Sequence, residues 1–208
     1  MQRLAAHPSL QLSARWPFAC FLALGLFWGA FAALIPDIKE QVGATDGELG
    51  LALLFVAVGS IPAMLIAGRL WRRFGWGLLP VGALLFAASM LPPIFATSPI
   101  FLGVCVLLFG ASSGFLDVSM NAAVSDLEAE RDSRLMFGAH AIYSLGVFIA
   151  AIVTGVAREA GFGPGPILVT VAAVTAAIGI GTIASARLAQ AADAPPSSGH
   201  VAPSAARA

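Results

Sequence analysis

Residues 74–116 read FGWGLLPVGALLFAASMLPPIFATSPIFLGVCVLLFGASSGFL and contain no charged side chain in 43 positions. Further uncharged stretches cover 16–36, 49–68, 135–157 and 160–186. A helix that crosses a bilayer needs about 20 apolar residues to cover roughly 30 Å of hydrocarbon. The recurrence of stretches of this length predicts an integral membrane protein built from helices.

The composition and the two cysteines narrow the class of protein further. Hydrophobic residues make up 59% of the 208 residues and charged residues 11%, against about 25% charged in a soluble domain. The formal net charge is zero, so the charge balance does not indicate a nucleic acid partner. Cys20 and Cys105 both lie in apolar stretches, and no spacing of His and Cys suits a metal. We therefore expect no disulfide framework, no metal and no other cofactor.

The uncharged stretch at 74–116 must contain two helices, because proline cannot continue a helix. The sequences at 91–93 (LPP) and 97–99 (TSP) are typical of a turn. A capping box from Thr45 to Glu48 is expected to start the second helix of the chain. The sequence therefore predicts six spans, at about 17–36, 48–69, 75–92, 99–124, 135–157 and 164–186.

An even number of spans leaves both termini on one side of the membrane. If that side is the cytoplasm, the inside segments carry nine arginines and the outside loops carry only Lys39 and Arg158. This distribution satisfies the positive-inside rule and predicts a multi-pass protein of the inner or plasma membrane with cytoplasmic termini. We expect a cytoplasmic segment at 1–16, a membrane domain at 17–187 and a disordered Ala/Pro/Ser-rich tail at 188–208. The nine arginines are at positions 3, 15, 69, 72, 73, 131, 134, 187 and 207.

Glycines recur along the chain at a nearly constant offset. An offset of three spans reverses the direction in which the chain crosses the membrane. The pattern therefore predicts an all-α integral membrane fold of six transmembrane helices arranged as a 3+3 inverted repeat, with repeats at about 17–92 and 99–186. The matching glycines are Gly25 and Gly29 with Gly110 and Gly114 (offset 85), Gly59 and Gly68 with Gly146 and Gly155 (offset 87), and 75–77 with 161–163 (offset 86).

A 3+3 repeat of six helices is the half-unit of the major facilitator superfamily, and several loop sequences resemble that family. Residues 68–75 read GRLWRRFG, similar to the family motif G-x-L-x-D-R-x-G between spans 2 and 3. Arg72 stands where the family usually has aspartate. The segments 35–39 (IPDIK), 47–51 (GELGL) and 116–121 (LDVSMN) are similar to a branch near the fucose-permease-like sugar transporters. Nearly the whole chain takes part in the resemblance.

The resemblance implies a transporter that moves a small solute by alternating access between two six-helix halves of a twelve-helix fold. The chain carries six predicted spans and corresponds to the N-terminal half. A homodimer, or a second half on a separate chain, is therefore the expected partner. The resemblance also implies a gating role for the cytoplasmic turn that contains Gly68, Arg69, Arg72, Arg73 and Gly75.

Asp117 is the only acid predicted to be embedded in a span, since Glu48 lies at the very start of the second. Acids inside a membrane usually face a cavity and often carry ions or protons, although the side chain of Asp117 could also reach toward cytoplasmic water. Asp117 belongs to a stripe of polar residues on span 4, spaced by about one helical turn, and span 5 carries a similar stripe. If the loop between the two spans is symmetric, the two stripes lie at the same depth in the membrane. The stripes predict either a hydrated path for solute and protons or interhelical hydrogen bonds worth about 0.6 kcal/mol each. They consist of Ser113, Asp117 and Asn121 on span 4 and of His140, Tyr143 and Ser144 on span 5.

Two further features have both a functional and a structural interpretation. Phe27 and Trp28 in span 1 could stack on a sugar or pack within the bundle. Residues 110–114 (GASSG) match G-x-S-x-G, but a nucleophile elbow needs a strand-to-helix turn and this segment is predicted to be helical. We therefore expect no enzymatic activity.

The sequence thus predicts a half-length transporter of the major facilitator type, either coupled to protons or facilitated. Its partners would be the lipid bilayer and a small-molecule solute, and the residues leave the solute open. The alternative is a truncated or non-transporting membrane protein that pairs with, or modulates, a separate transporter half.

Overall fold

A computed structural model describes residues 15–192 of the chain, and these residues form an all-helical structure. Two short 3₁₀ turns, Gly75–Gly77 and Pro92–Phe95, flank the third α-helix. Residues 1–14 of the predicted cytoplasmic segment 1–16, and residues 193–208 of the predicted tail 188–208, lie outside the described residues. The α-helices are α1 (Arg15–Gln41), α2 (Asp46–Phe74), α3 (Leu78–Ser89), α4 (Pro99–Arg131), α5 (Met136–Glu159) and α6 (Pro164–Ala192).

Five stretches of the described residues are long and apolar enough to cross a membrane, judged by length and composition. One of them, Asp46–Phe95, contains both α2 and α3, so the count of six crossings stays a prediction. The predicted third span at 75–92 is α-helical only over the 12 residues of α3. The helix is shorter than the predicted span at both ends, because Gly75 adopts a positive φ of 52° and Pro92 lacks a backbone donor. The other stretches are Arg15–Gln41, Pro99–Arg131, Met136–Glu159 and Pro164–Ser185.

The start of α2 confirms the predicted capping box. The Thr45 hydroxyl accepts a hydrogen bond from the backbone N–H of Glu48, and the Glu48 carboxylate accepts one from the backbone N–H of Thr45 at 2.9 Å. Two of the four otherwise unpaired donors at a helix start are thereby satisfied. A second device of this kind starts α5, where the Glu128 carboxylate accepts hydrogen bonds from the backbone N–H groups of Leu135 and Met136.

Glycines bring the backbones of two helix pairs into direct contact. On α1, Gly25 and Gly29 face the backbone of Tyr143 and Val147 on α5, and a Cβ at either glycine would clash with that backbone. On α4, Gly110 faces the backbone of Val56 on α2 in the same way. Small residues at such positions allow membrane helices to approach closely. These glycines therefore serve the close packing of α1 with α5 and of α2 with α4.

The outer helices complete the bundle around an aromatic core. α3 packs against α4 and α6, and α6 also packs against α1. Phe27 is fully buried at the centre, with ring centroids 4.9 Å from Phe86, 5.1 Å from Phe109 and 5.5 Å from Phe31. Such ring pairs add directional attraction to apolar burial. The core therefore fixes the position of α1, which lines the cavity described next.

Candidate functional site

A cavity of about 250 Å³ lies where α1, α2, α4 and α5 meet. It contains most of the polar side chains that the sequence singles out on spans 4 and 5, within walls that are apolar apart from Ser60 of α2. Its lining consists of Phe21, Leu24 and Trp28 from α1, Val56, Ser60 and Met64 from α2, Ser113, Gly114, Asp117 and Met120 from α4, and His140 and Tyr143 from α5.

Asp117 is the acidic group of this cavity and is partly buried in α4. One turn further along, the Asn121 side-chain amide donates to the backbone carbonyl of Asp117 at 2.8 Å and to its carboxylate at 3.2 Å. Asn121 itself does not line the cavity. Its position indicates that it orients the Asp117 carboxylate and leaves the second oxygen for other partners.

His140 lines the same cavity as Asp117, from α5. Its Nδ1 lies 3.1 Å from the Met136 carbonyl oxygen, which only accepts hydrogen bonds, so Nδ1 carries a hydrogen. The imidazole also rests against Phe21, with ring centroids 5.2 Å apart. These two contacts orient the ring, and Nε2 has no hydrogen-bond partner among the described residues.

The remaining predicted polar residues divide into two groups. Ser113 and Tyr143 line the cavity, and the Ser113 hydroxyl donates to the Gly110 carbonyl at 3.0 Å within its own helix. Ser144 is exposed on α5 and does not line the cavity. The structure thus brings together Asp117, His140, Tyr143 and Ser113, while Asn121 contributes through Asp117.

The two aromatic residues of α1 point to different surroundings. Phe27 belongs to the fully buried aromatic core, whereas Trp28 lines the cavity. The contribution of α2, which supplies Ser60 and Met64, was not among the predicted site residues. Ser60 gave a usable signal, because it is the single hydroxyl in the apolar stretch 49–68.

The predicted gating turn lies at the end of α2. Gly75 ends the helix with a φ of 52°, which favours glycine, and Arg73 lies over the Phe74 ring at 5.4 Å. The Trp71 indole N–H donates to the Asp126 carboxylate on α4 at 3.2 Å. Arg72 is exposed and has no ion pair among residues 15–185. Of the other predicted members, Arg69 donates to the Leu65 carbonyl at 3.2 Å, and Gly68 lies within the last two turns of α2.

The opposite end of the bundle carries an ion pair between helices. The Arg158 guanidinium at the end of α5 donates to both carboxylate oxygens of Asp37 at the end of α1, with one N–O distance of 2.8 Å. This bidentate contact joins the same helix pair that Gly25 and Gly29 bring together at its centre. Lys39 and Asp46 form a second, more exposed ion pair across the loop between α1 and α2.

These features define a multi-pass membrane protein with a partly polar cavity among helices that cross in close contact. Comparison with known proteins identifies the family. The model for the Major Facilitator Superfamily matches residues 18–206, and the chain belongs to that family.

Curated relatives agree with this assignment. The chain is 33% identical over 149 residues to an uncharacterized MFS-type transporter of Yersinia pestis, a match that covers 71% of this chain and 38% of the relative. It is 34% identical over 137 residues to the membrane protein MosC of Rhizobium meliloti, covering 65% and 34%. It is 26% identical over 141 residues to the sodium-dependent glucose transporter 1A of Mus musculus, covering 67% and 33%. The chain thus spans about a third of the length of these relatives.

Proposed function

We propose that residues 17–187 form a six-helix half of a transporter that moves a small solute across the inner or plasma membrane by alternating access. The observation that carries the proposal is the cavity that gathers Asp117, His140 and Tyr143 inside an apolar bundle. Ionisable side chains at membrane depth are costly and usually mark the path of a solute or ion. Both termini of the chain would lie on the cytoplasmic side, as the arginine distribution predicts.

The packing of the helices supports the proposed 3+3 inverted repeat. Exchanging α1 with α4, α2 with α5 and α3 with α6 converts the α1–α5 contact into the α2–α4 contact, and the α1–α6 contact into the α3–α4 contact. The residues at the crossings follow the same rule. Gly25 meets Tyr143 as Gly110 meets Val56, at offsets of 85 residues for the glycines and 87 for their partners. An inverted repeat of this kind would place the solute site between its two halves, near the middle of the membrane.

The surfaces of α2 and α5 support the proposal of a second six-helix half. Large apolar side chains lie exposed along both helices, among them Leu51 (62%) and Ile61 (59%) on α2, and Phe148 (64%) and Val156 (62%) on α5. The chain also spans about a third of its relatives. We propose that a second copy of the chain, or a separate half, covers these faces and closes the cavity. Arg72 in the gating turn would contact that half.

The cavity suits a small polyhydroxylated solute such as a sugar. Trp28 provides a flat aromatic face, and the Tyr143 hydroxyl can donate a hydrogen bond. The hydroxyls of Ser60 and Ser113 donate to backbone carbonyls of their own helices and can still accept from a solute. Pockets that orient a ligand combine apolar walls with a few such groups. The match to a sodium-dependent glucose transporter favours the same class of solute.

Asp117 and His140 are proposed as the groups that couple transport to protons. They line one cavity from different helices, and each has a defined hydrogen-bond partner on its own helix. Alternating access would change the exposure of this pair to water, so that the carboxylate takes up a proton on one side and releases it on the other.

Uptake into vesicles reconstituted with the purified chain tests the proposal. A panel of radiolabelled sugars and non-sugar solutes would be assayed with and without an inward proton gradient. The variant Asp117→Asn should abolish the part of uptake that depends on the gradient. Asp132→Asn is the matched control, because Asp132 is exposed beyond the end of α4 in a left-handed conformation that asparagine also tolerates. Full gradient-dependent uptake by Asp117→Asn would contradict the role of this residue.

The alternative proposal is a non-transporting membrane protein that binds or modulates a separate half. It is favoured by the exposed faces of α2 and α5, which would serve an interface in either case. Absence of uptake for the whole panel, together with a chain that crosslinks only to another six-helix protein, would select this alternative.

A further inference from the structure

A second, apolar groove lies between α1, α5 and α6, away from the Asp117 cavity. It has a volume of about 390 Å³, and threonines 154 and 170 are its only polar side chains. The Thr170 hydroxyl donates to the Pro166 carbonyl at 2.8 Å and so offers no free hydrogen to a ligand. On α6 the groove extends from Pro166 to Val174, a rise of about 12 Å. This depth is close to half of the roughly 30 Å hydrocarbon thickness, so the groove spans about one leaflet.

The groove adjoins a polar pocket at the end of the bundle that carries the Asp37–Arg158 ion pair. Phe162 lines both spaces, so the two lie next to each other. The polar pocket has a volume of about 650 Å³, and its charged residues are Asp37, Glu40, Arg158 and Glu159. We call the groove and this pocket together the α1/α5/α6 site. An apolar slot with a charged mouth at its outer end fits an amphiphile that lies parallel to the helices.

The charges of the mouth select the headgroup. Asp37 and Arg158 neutralise each other, but the guanidinium uses only two of its five N–H groups in that pair. The exposed carboxylates of Glu40 and Glu159 have no ion-pair partner among residues 15–185. The remaining N–H groups of Arg158 can therefore donate to a phosphate, and the two glutamates beside them can bind a cation. The net negative charge of the mouth disfavours an anionic headgroup.

We propose that the α1/α5/α6 site binds one phospholipid with an ethanolamine headgroup. One acyl chain occupies the groove, the phosphate accepts hydrogen bonds from Arg158, and the primary ammonium lies against Glu40 and Glu159. The lipid would thereby bridge α1, α5 and α6 at the end where the ion pair already joins α1 to α5. This role is separate from solute transport and does not depend on the Asp117 cavity.

Native mass spectrometry of the full chain tests the proposal. The protein would be purified in mild detergent and exposed to equal amounts of phosphatidylethanolamine and phosphatidylglycerol with identical acyl chains. We expect about five times as much of the ethanolamine lipid as of the glycerol lipid to stay bound. This ratio corresponds to the interaction free energy of one charge near a membrane surface. The double variant E40Q/E159Q, at two exposed positions, should lose the preference while still binding lipid through the groove.

A second pair of variants tests the groove itself. Val174→Trp fills it and should abolish retention of both lipids, whereas Val169→Trp lies on the same helix, is also exposed and does not line the groove. Equal retention of the two lipids by the native chain would overturn the proposal, as would an unchanged preference in E40Q/E159Q. Loss of lipid in a chain that is dimeric through α1, α5 and α6 would assign the groove to a second copy and would also overturn it.

Discussion

The Asn121 amide holds the Asp117 carboxylate by a hydrogen bond of 3.2 Å while it also donates to the Asp117 backbone carbonyl at 2.8 Å. A single side chain therefore ties the acid of the cavity to its own helix. The cavity gains a carboxylate with a defined direction, although Asn121 does not line it. This arrangement makes Asn121 a positioning residue for the proposed coupling site.

We expect Asn121→Ala to lower gradient-dependent uptake about fivefold, since a hydrogen bond of this kind contributes about 1 kcal/mol. The pH profile of uptake should shift as well, because the carboxylate loses a donor, while the free energy of unfolding in detergent should fall by no more than about 1 kcal/mol. Ser125→Ala is the control, because Ser125 is exposed one turn further along α4 and has no contact with Asp117. A native pH profile in Asn121→Ala would show that the acid does not depend on this contact.

Two polar residues of α5, one turn apart, differ in whether they line the cavity. His140 lines the cavity, whereas Ser144, one turn later, is exposed outside it. We therefore expect His140→Gln to reduce uptake at least tenfold and Ser144→Ala to leave it unchanged. Initial rates in the same reconstituted vesicles measure both variants. Equal losses in the two would mean that the whole polar face of α5 matters, rather than the part that lines the cavity.

The sequence predicted the polar positions of the cavity better than its shape. Spacing by four residues correctly placed Ser113 and Asp117 on one face of a helix, because helical periodicity depends only on local geometry. Whether Ser144 or Tyr143 faces the same space depends on the rotation of α5, which its contacts with α1 determine. The contribution of Ser60 required knowing that α2 crosses α4 at Gly114, a contact between residues far apart in the sequence.

The crossing of α2 with α4 predicts a sharp difference between two glycines of one helix. A Cβ at Gly59 would lie 2.9 Å from the backbone nitrogen of Ala111 and closer still to the Leu107 carbonyl, whereas Gly50 has open space. Gly59→Ala should destabilise the protein by about 1–3 kcal/mol, the usual effect of overpacking. Gly50→Ala should be neutral or slightly stabilising, since alanine favours helix over glycine.

Thermal unfolding in detergent, followed by the reactivity of the buried thiols Cys20 and Cys105, measures both glycine variants. Each thiol becomes accessible only when the helices separate, so a thiol-reactive dye reports unfolding and no cysteine has to be introduced. A Gly59→Ala protein as stable as Gly50→Ala would mean that the two helices lie further apart than the structure places them.

The sequence predicted those features of the fold that depend on neighbouring residues alone. Uncharged stretches gave the long helices, and the capping box gave the start of α2. The ends of α3 were predicted less well, because Gly75 and Trp76 read as part of an apolar span although a positive φ and a 3₁₀ turn separate them from the helix. Hydropathy records which residues tolerate lipid, but not where the backbone changes its hydrogen-bond pattern.

The orientation of the chain can be measured directly with cysteines placed in two loops. Ala160 is exposed at the end of α5, and Arg134 is exposed just before its start. The proposed topology puts position 160 outside the cell and position 134 in the cytoplasm, since the arginine-rich segments lie inside. A membrane-impermeant maleimide should therefore label Ala160→Cys in intact cells and Arg134→Cys only after the membrane is opened. The native thiols Cys20 and Cys105 are buried, so they should add little background. Labelling of both positions in intact cells would mean that α5 does not cross the membrane, and the reverse pattern would invert the predicted topology.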